Sequence, residues 1–164
     1  SNTDYLTGLP NRRLLDEHLD NAIFLARQKK HPLTLIMGAV DGLDRVARSW
    51  GVTAADTVIQ LFAETLTQGL RTDQVAARFE GAKFAVILPA TTKEEGFVVA
   101  EQVRKRFKSL DWKSKDTGEN IGTLSVSFGG AALVEGLGRE TMVATADKVL
   151  IKAQKEGADR TLIQ

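Results

Sequence analysis

The stretch ARFEGAKFAVILP, residues 77–89, decides the fold. Apolar residues on either side of Glu80-Gly81-Ala82-Lys83 read as two short strands joined by a tight turn. Gly81 supplies the backbone freedom such a bend needs. Strands joined that closely run antiparallel, so any sheet that contains them is at least partly antiparallel. The turn also places a glutamate, an alanine and a lysine at and just after the bend, where a working site or the remains of one would lie.

Outward from the hairpin, the apolar periodicity changes from strand to helix and back. Ala54, Val58, Leu61, Phe62 and Leu66 mark an amphipathic helix before it, and Val99, Val103, Phe107 and Leu110 mark another after it. Thr92 with Glu95 three residues on forms a capping box for the latter. Nearer the start, Leu15, Leu19, Ala22, Ile23 and Ala26 give a helix from Arg13 to about Gln28, which Asn11 can cap. The run LTLIMGAVD, from Leu33, has the length and apolar character of a central strand buried on both faces, and a short helix over Leu43 to Ser49 follows it. Beyond a polar loop, WKSKDTGEN, the segment IGTLSVSFGGAAL reads as one long strand in which Gly129-Gly130 permits a bulge or bend. Met142, Ala146, Val149, Leu150 and Ala153 give a last helix ending near Gly157, before a short strand RTLI. Helices packed on a central, mostly antiparallel sheet make an α+β domain of two or three layers.

Composition bounds what such a domain does. With 164 residues the chain forms one domain around a single core, taken as residues 3–164, with Ser1 and Asn2 read as a cloning scar. Hydrophobic residues at 43% and charged residues at 26% exclude disorder, and no apolar run approaches the roughly 20 residues of a membrane span. A net charge of +1 gives no field that implies a nucleic-acid partner. The absence of cysteine removes thiol nucleophiles and thiolate metal sites and fits a reducing, cytoplasmic setting. His18 and His31 have no second histidine or carboxylate at ligand spacing and read as surface residues, while Trp50 and Trp112 read as packing groups because no basic stripe accompanies them.

Three motifs carry a resemblance over the whole chain: DYLTGLPNRR at 4–13, RFEGAKF at 78–84 and ADKVLIKAQKEGADR at 146–160. The chain resembles the GGDEF domain of diguanylate cyclases, which condense two GTP molecules into cyclic di-GMP. The resemblance implies a palm-like central sheet flanked by helices, related to nucleotide cyclases and some polymerases. It also implies a site, which in the family needs carboxylates for Mg²⁺, cations for the triphosphate and acids for the chemistry.

At the matching positions this chain departs from the family. The first strand of the family ends in Asp-x-Asp, and here those positions are Ala39 and Asp41, so the metal-binding carboxylate is lost. The family's Gly-Gly-Asp/Glu-Glu-Phe is Glu80-Gly81-Ala82-Lys83-Phe84, with Ala82 in place of a metal ligand and Lys83 in place of the acid implicated in catalysis. A lysine cannot coordinate Mg²⁺, so the charge is reversed. Glu80 adds a carboxylate where glycine lets backbone approach phosphate. The guanine-contacting asparagine matches Ala47, while its partner aspartate survives as Asp56. The phosphate-binding cations match Asp44, Gln154 and Ala158. The product-binding inhibitory motif Arg-x-x-Asp becomes Arg71 and Gln74, with Asp73 one position out of register.

The sequence therefore predicts a degenerate GGDEF domain with no catalytic residues, no metal, and Mg²⁺ and GTP binding lost or weak. Its expected role is regulatory, scaffolding or dimerising, with sensory or phosphodiesterase-type EAL domains as partners in cis and a homodimer as a further possibility. The alternative is an allosteric GTP- or nucleotide-binding module with weak residual contact through Asp56 and Asp41, and the last reading in order is an active diguanylate cyclase with a rearranged site. Taken without a nucleotide, Asp56 reads as an exposed residue in the first turn of a helix and Lys83 as one of the lysines common on half-exposed strands.

Overall fold

The computed structural model describes residues 1–113 and 117–164. Residues 114–116, within the polar WKSKDTGEN loop, lie outside the described residues. Ten elements follow in the order α1 (Arg12–Lys29), β1 (Leu33–Val40), α2 (Leu43–Trp50), α3 (Val52–Thr67), β2 (Val75–Glu80), β3 (Lys83–Pro89), α4 (Lys93–Lys108), β4 (Val126–Ala132), α5 (Arg139–Lys155) and β5 (Thr161–Ile163).

The strands form one sheet in the order β2-β3-β1-β4-β5. Three of its pairings are antiparallel and the last, β4 with β5, is parallel. Strand β1 is central and buried along its whole length because helices cover both faces. On one face Leu35, Met37 and Ala39 pack with Leu15, Leu19 and Ile23 of α1 and Met142, Ala146 and Leu150 of α5. On the other, Ile36 and Val40 join Phe62 and Leu66 of α3 and Val103 and Phe107 of α4. The period-two alternation of β1 thus serves two cores at once, giving three layers.

Local signals place the helix ends. The Asn11 side chain accepts from the Leu14 amide and caps α1, and the Thr92/Glu95 capping box closes on α4 with both bonds made. Trp112 is buried against Phe107, with ring centroids 5.0 Å apart.

Two expectations are corrected. The strand expected over IGTLSVSFGGAAL is confined to Val126–Ala132. Before it, Gly122 takes a φ of +103° and the Ile121 amide donates to the Trp112 carbonyl, which turns the chain away from the sheet. Gly129 and Gly130 make no bulge, because they pair in unbroken register with Met37 and Ile36. Their smallness serves packing instead: a Cβ on Gly129 would lie 1.9 Å from the Leu150 backbone nitrogen of α5. Glycine here lets a helix lie directly on the sheet.

Candidate functional site

The carboxyl end of β1, the β2–β3 turn, the start of α2 and the end of α5 enclose a cleft of about 600 Å³. Its lining includes Ala39, Asp41, Asp44, Glu80, Gly81, Ala82, Lys83, Gln154 and Ala158, most of the positions singled out in the sequence. Ala47 and Asp56 lie outside it on α2 and α3. Asp56 is the fifth residue of α3, beyond the first turn, and partly buried, which corrects the expectation of an exposed first-turn residue. Arg71 and Gln74 lie at the other end of β2 from the turn.

The turn is built by a two-residue loop between β2 and β3, with Gly81 at φ +54°. A register shift between Arg78 and Glu80 precedes it. Arg78 fixes the turn: its Nε donates to the Gly81 carbonyl at 2.8 Å and its Nη1 reaches both oxygens of Asp4 at 3.2 Å. Burial alone would raise the Asp4 pKa, but hydrogen bonds from Thr7 and Arg78 outweigh it and hold the carboxyl below the usual range. Phe84, just past the turn, is buried edge-on to Phe62, with centroids 5.3 Å apart. The hairpin is thereby anchored in the core on one side and on the amino-terminal turn on the other.

Within the cleft the retained carboxylate is fully engaged. Asp41 accepts from the hydroxyls of Ser125 and Ser127, each at 2.7 Å, and from the Asp159 amide at 3.1 Å. It ties the end of β1 to the approach of β4 and to the loop before β5. Asp159 lies in that loop with φ +48°, next to Ala158 at +59°. Its side chain pairs with Arg104, at 2.8 Å, and with Lys108. Burial would raise the Asp159 pKa, and the bonds from Lys108 and Arg104 lower it on balance. Arg104 also forks onto Glu101, whose second partner is the Thr161 hydroxyl.

Lys83 stands at the partly exposed start of β3, and an ion pair holds it there. β1–β3 pairing sets it directly opposite Ala39, so the two side chains share a face. That face carries α5, where Asp147 accepts from the Lys83 Nζ at 2.7 Å. Both side chains are partly buried, at 25% and 29% exposure. Asp44, by contrast, is paired with Arg48 in the open. The lining therefore presents Asp41, Asp44 and Glu80 against one lysine, and no arginine.

A divalent metal does not fit this donor set. Ala39 and Ala82 offer no side-chain donor, Lys83 brings a cation already held by Asp147, Asp44 is paired with Arg48, and Asp41 is occupied by three donors. At the far end of β2, Asp73 takes the Arg71 guanidinium at 3.3 Å, and the Gln74 side chain accepts from the Arg71 amide at 2.9 Å. The same guanidinium donates to the Pro89 carbonyl at 3.4 Å, which ties the 71–74 turn to the end of β3.

The sequence pointed to the lining but not to its partners. Asp147, Ser125, Ser127 and Asp159 are separated from Lys83 or Asp41 by 64 to 118 residues, and only the fold brings them together. Opposite charge at 83 and 147 was the one available signal, and charge alone does not pair residues across that distance.

Comparison with known proteins agrees with the architecture. The family model described as "Diguanylate cyclase, GGDEF domain" matches residues 1–160. Among curated proteins, the chain is similar to the diguanylate cyclase DgcP of Pseudomonas aeruginosa, 33% identical over 96% of this chain and 23% of that protein. It is also similar to the diguanylate cyclase VdcA of Vibrio cholerae, 30% identical over 97% of this chain and 46% of that protein. The chain thus spans less than half the length of these relatives. Among solved structures, the GGDEF domain of DgcB from Caulobacter crescentus, in complex with c-di-GMP, superposes with a TM-score of 0.96. It is 28% identical, over 99% of this chain and 95% of that one.

Proposed function

The chain belongs to the GGDEF family of diguanylate cyclase domains, and from that premise we propose that this member has no cyclase activity. It serves instead as a regulatory, scaffolding or dimerising module within a larger cyclic di-GMP signalling protein. The observation that carries the reading is Lys83: where the family has an acid, this chain has a cation, bonded to Asp147 and set across the sheet from Ala39. Transfer of a nucleotidyl group needs a metal to neutralise phosphate charge and activate the 3′-hydroxyl, and Ala39, Ala82 and Lys83 supply no side-chain oxygen to hold one. The cleft carboxylates Asp44 and Glu80 repel a triphosphate, and Gln154 and Ala158 offer no cation to offset them.

The partners that fit this role are sensory and EAL domains in cis, or a second copy of the domain. The setting is the cytoplasm, where the nucleotide pool lies; among the described residues no helix is long and apolar enough to cross a membrane. The test is incubation of the domain with GTP and Mg²⁺ or Mn²⁺. No cyclic di-GMP above the no-enzyme blank is expected, and product above that blank overturns the reading.

One observation favours a second reading, a nucleotide-binding effector module. The Asp56 side chain is on a partly buried residue of α3 and has no hydrogen bond or ion pair among the described residues, which leaves its carboxylate open to a guanine edge. Calorimetric titration with GTP and Mg²⁺ separates the two, since micromolar binding supports the effector role and its absence supports the scaffold.

A further inference from the structure

The resemblance to diguanylate cyclases implies a metal among the acids of this turn, whereas here the turn is held by side chains. Resting on the non-catalytic reading above, we propose that Lys83 is a tethered counter-cation that fastens the β2–β3 turn to α5, so that the position of the turn is independent of divalent metal. The geometry has three parts. Register places Lys83 on the α5 face of the sheet, opposite Ala39, which is 5% exposed and too short to reach it. The ammonium then reaches Asp147 at 2.7 Å, in a setting about three-quarters shielded from solvent on both sides. Finally, Arg78 holds the same turn from the other direction, through the Gly81 carbonyl and Asp4.

The two contacts oppose one another across the turn. Arg78 ties it to the amino-terminal segment and Lys83 ties it to α5, which itself lies directly on β4 at Gly129. A bound metal holds the turn only at sufficient ion concentration, whereas an ion pair between two side chains of the chain re-forms at any metal concentration. The cation also repels any divalent ion from the carboxylates nearby. Charge reversal at position 83 is therefore a replacement of the holding device rather than bare loss of an acid.

A double-mutant cycle on the 164-residue domain tests this, using Lys83→Met, Asp147→Asn, the double variant and the exchange Lys83→Asp/Asp147→Lys. Each single change should raise the unfolding equilibrium constant roughly two- to fivefold, as for a partly exposed ion pair. The double variant should be no less stable than the worse single, and the exchange should recover part of the loss. Amide hydrogen exchange at 82–84 should quicken in Lys83→Met. Unfolding of the unsubstituted domain should be the same in EDTA as in millimolar Mg²⁺. Additive single effects overturn the proposal, as does unchanged exchange at 82–84 or stabilisation by Mg²⁺. The non-catalytic reading is decided separately by product formation, so the two fail independently.

Discussion

Arg78 grips both carboxylate oxygens of Asp4 at 3.2 Å while its Nε holds the Gly81 carbonyl at 2.8 Å. One guanidinium thus joins the first turn of the chain to the hairpin 74 residues later. The side chains are 19% and 13% exposed, so removing one leaves the other charge poorly solvated. Arg78→Ala should cost about 2 kcal/mol, read from the urea midpoint. Arg78→Lys should recover only part of this, because an ammonium cannot span the carboxylate and the carbonyl together.

Acid should weaken the domain chiefly through the three partly buried carboxyls among those held low, Asp4, Glu101 and Asp159. Asp4 and Asp159 are pushed up by burial but held low on balance, by Thr7 and Arg78 in one case and by Lys108 and Arg104 in the other. Glu101 is held low chiefly by the hydrogen bond from Arg104. Their unfolded values are about 3.9 for Asp and 4.3 for Glu, so in mild acid the unfolded chain binds more protons than the folded one. The stability they contribute is whole above about pH 5 and is lost as pH falls through about 4 towards their folded values. Urea midpoints across that range should fall accordingly, and Arg104→Gln should flatten the slope chiefly by releasing Glu101, since Lys108 still holds Asp159.

Asp41 is predicted to matter for folding rather than for metal. Its carboxylate satisfies two hydroxyls and the Asp159 amide, and that amide belongs to a residue with positive φ. Asp41→Ala leaves these donors short of an acceptor and should cost about 2–3 kcal/mol. Thermal unfolding with and without Mg²⁺ should show the same loss in both.

The close approach of α5 to the sheet predicts an asymmetry between adjacent glycines. A Cβ at 129 meets the Leu150 backbone at 1.9 Å, whereas at 130 the nearest atoms are the Ile163 side chain and the Leu35 carbonyl, both at 3.1 Å. Gly129→Ala must shift backbone and should cost more than about 3 kcal/mol, with Gly130→Ala at about 1. Chemical denaturation of the two variants checks the order.

These positions also show how far the sequence could be read. The hairpin at 77–89 was legible because tight turns leave a local signature, and the helices were legible from their periodicity. Gly129-Gly130 was misread because a bulge and a helix contact make the same local demand for a missing side chain, and only α5 distinguishes them. The lining positions Ala39, Ala82 and Lys83 were legible one by one. Their surroundings were not, since Asp147 reaches Lys83 only through the packing of α5 on the sheet, and Ser127 reaches Asp41 only through the pairing of β1 with β4.

Restoring the acids alone should not restore an enzyme. Ala39→Asp, Ala82→Glu and Lys83→Glu together return the family's carboxylates, yet the last of them also sets a carboxylate beside Asp147 with no cation between the two. Like charges at that distance raise one another's pKa and weaken the hairpin's hold on α5. Mg²⁺ relieves such repulsion, so the triple variant should gain Mg²⁺-dependent stability that the unsubstituted chain lacks. Its triphosphate would still meet Asp44 and Glu80 without a cation from positions 154 or 158. Losing phosphate clamps and transition-state cations costs orders of magnitude in rate, so cyclic di-GMP should stay at the blank level. Adding Asp44→Lys, Gln154→Lys, Ala158→Arg and Glu80→Gly to the triple variant should then bring GTP binding by calorimetry before any turnover. Turnover in the triple variant without those cations would show that the carboxylates alone limit this site.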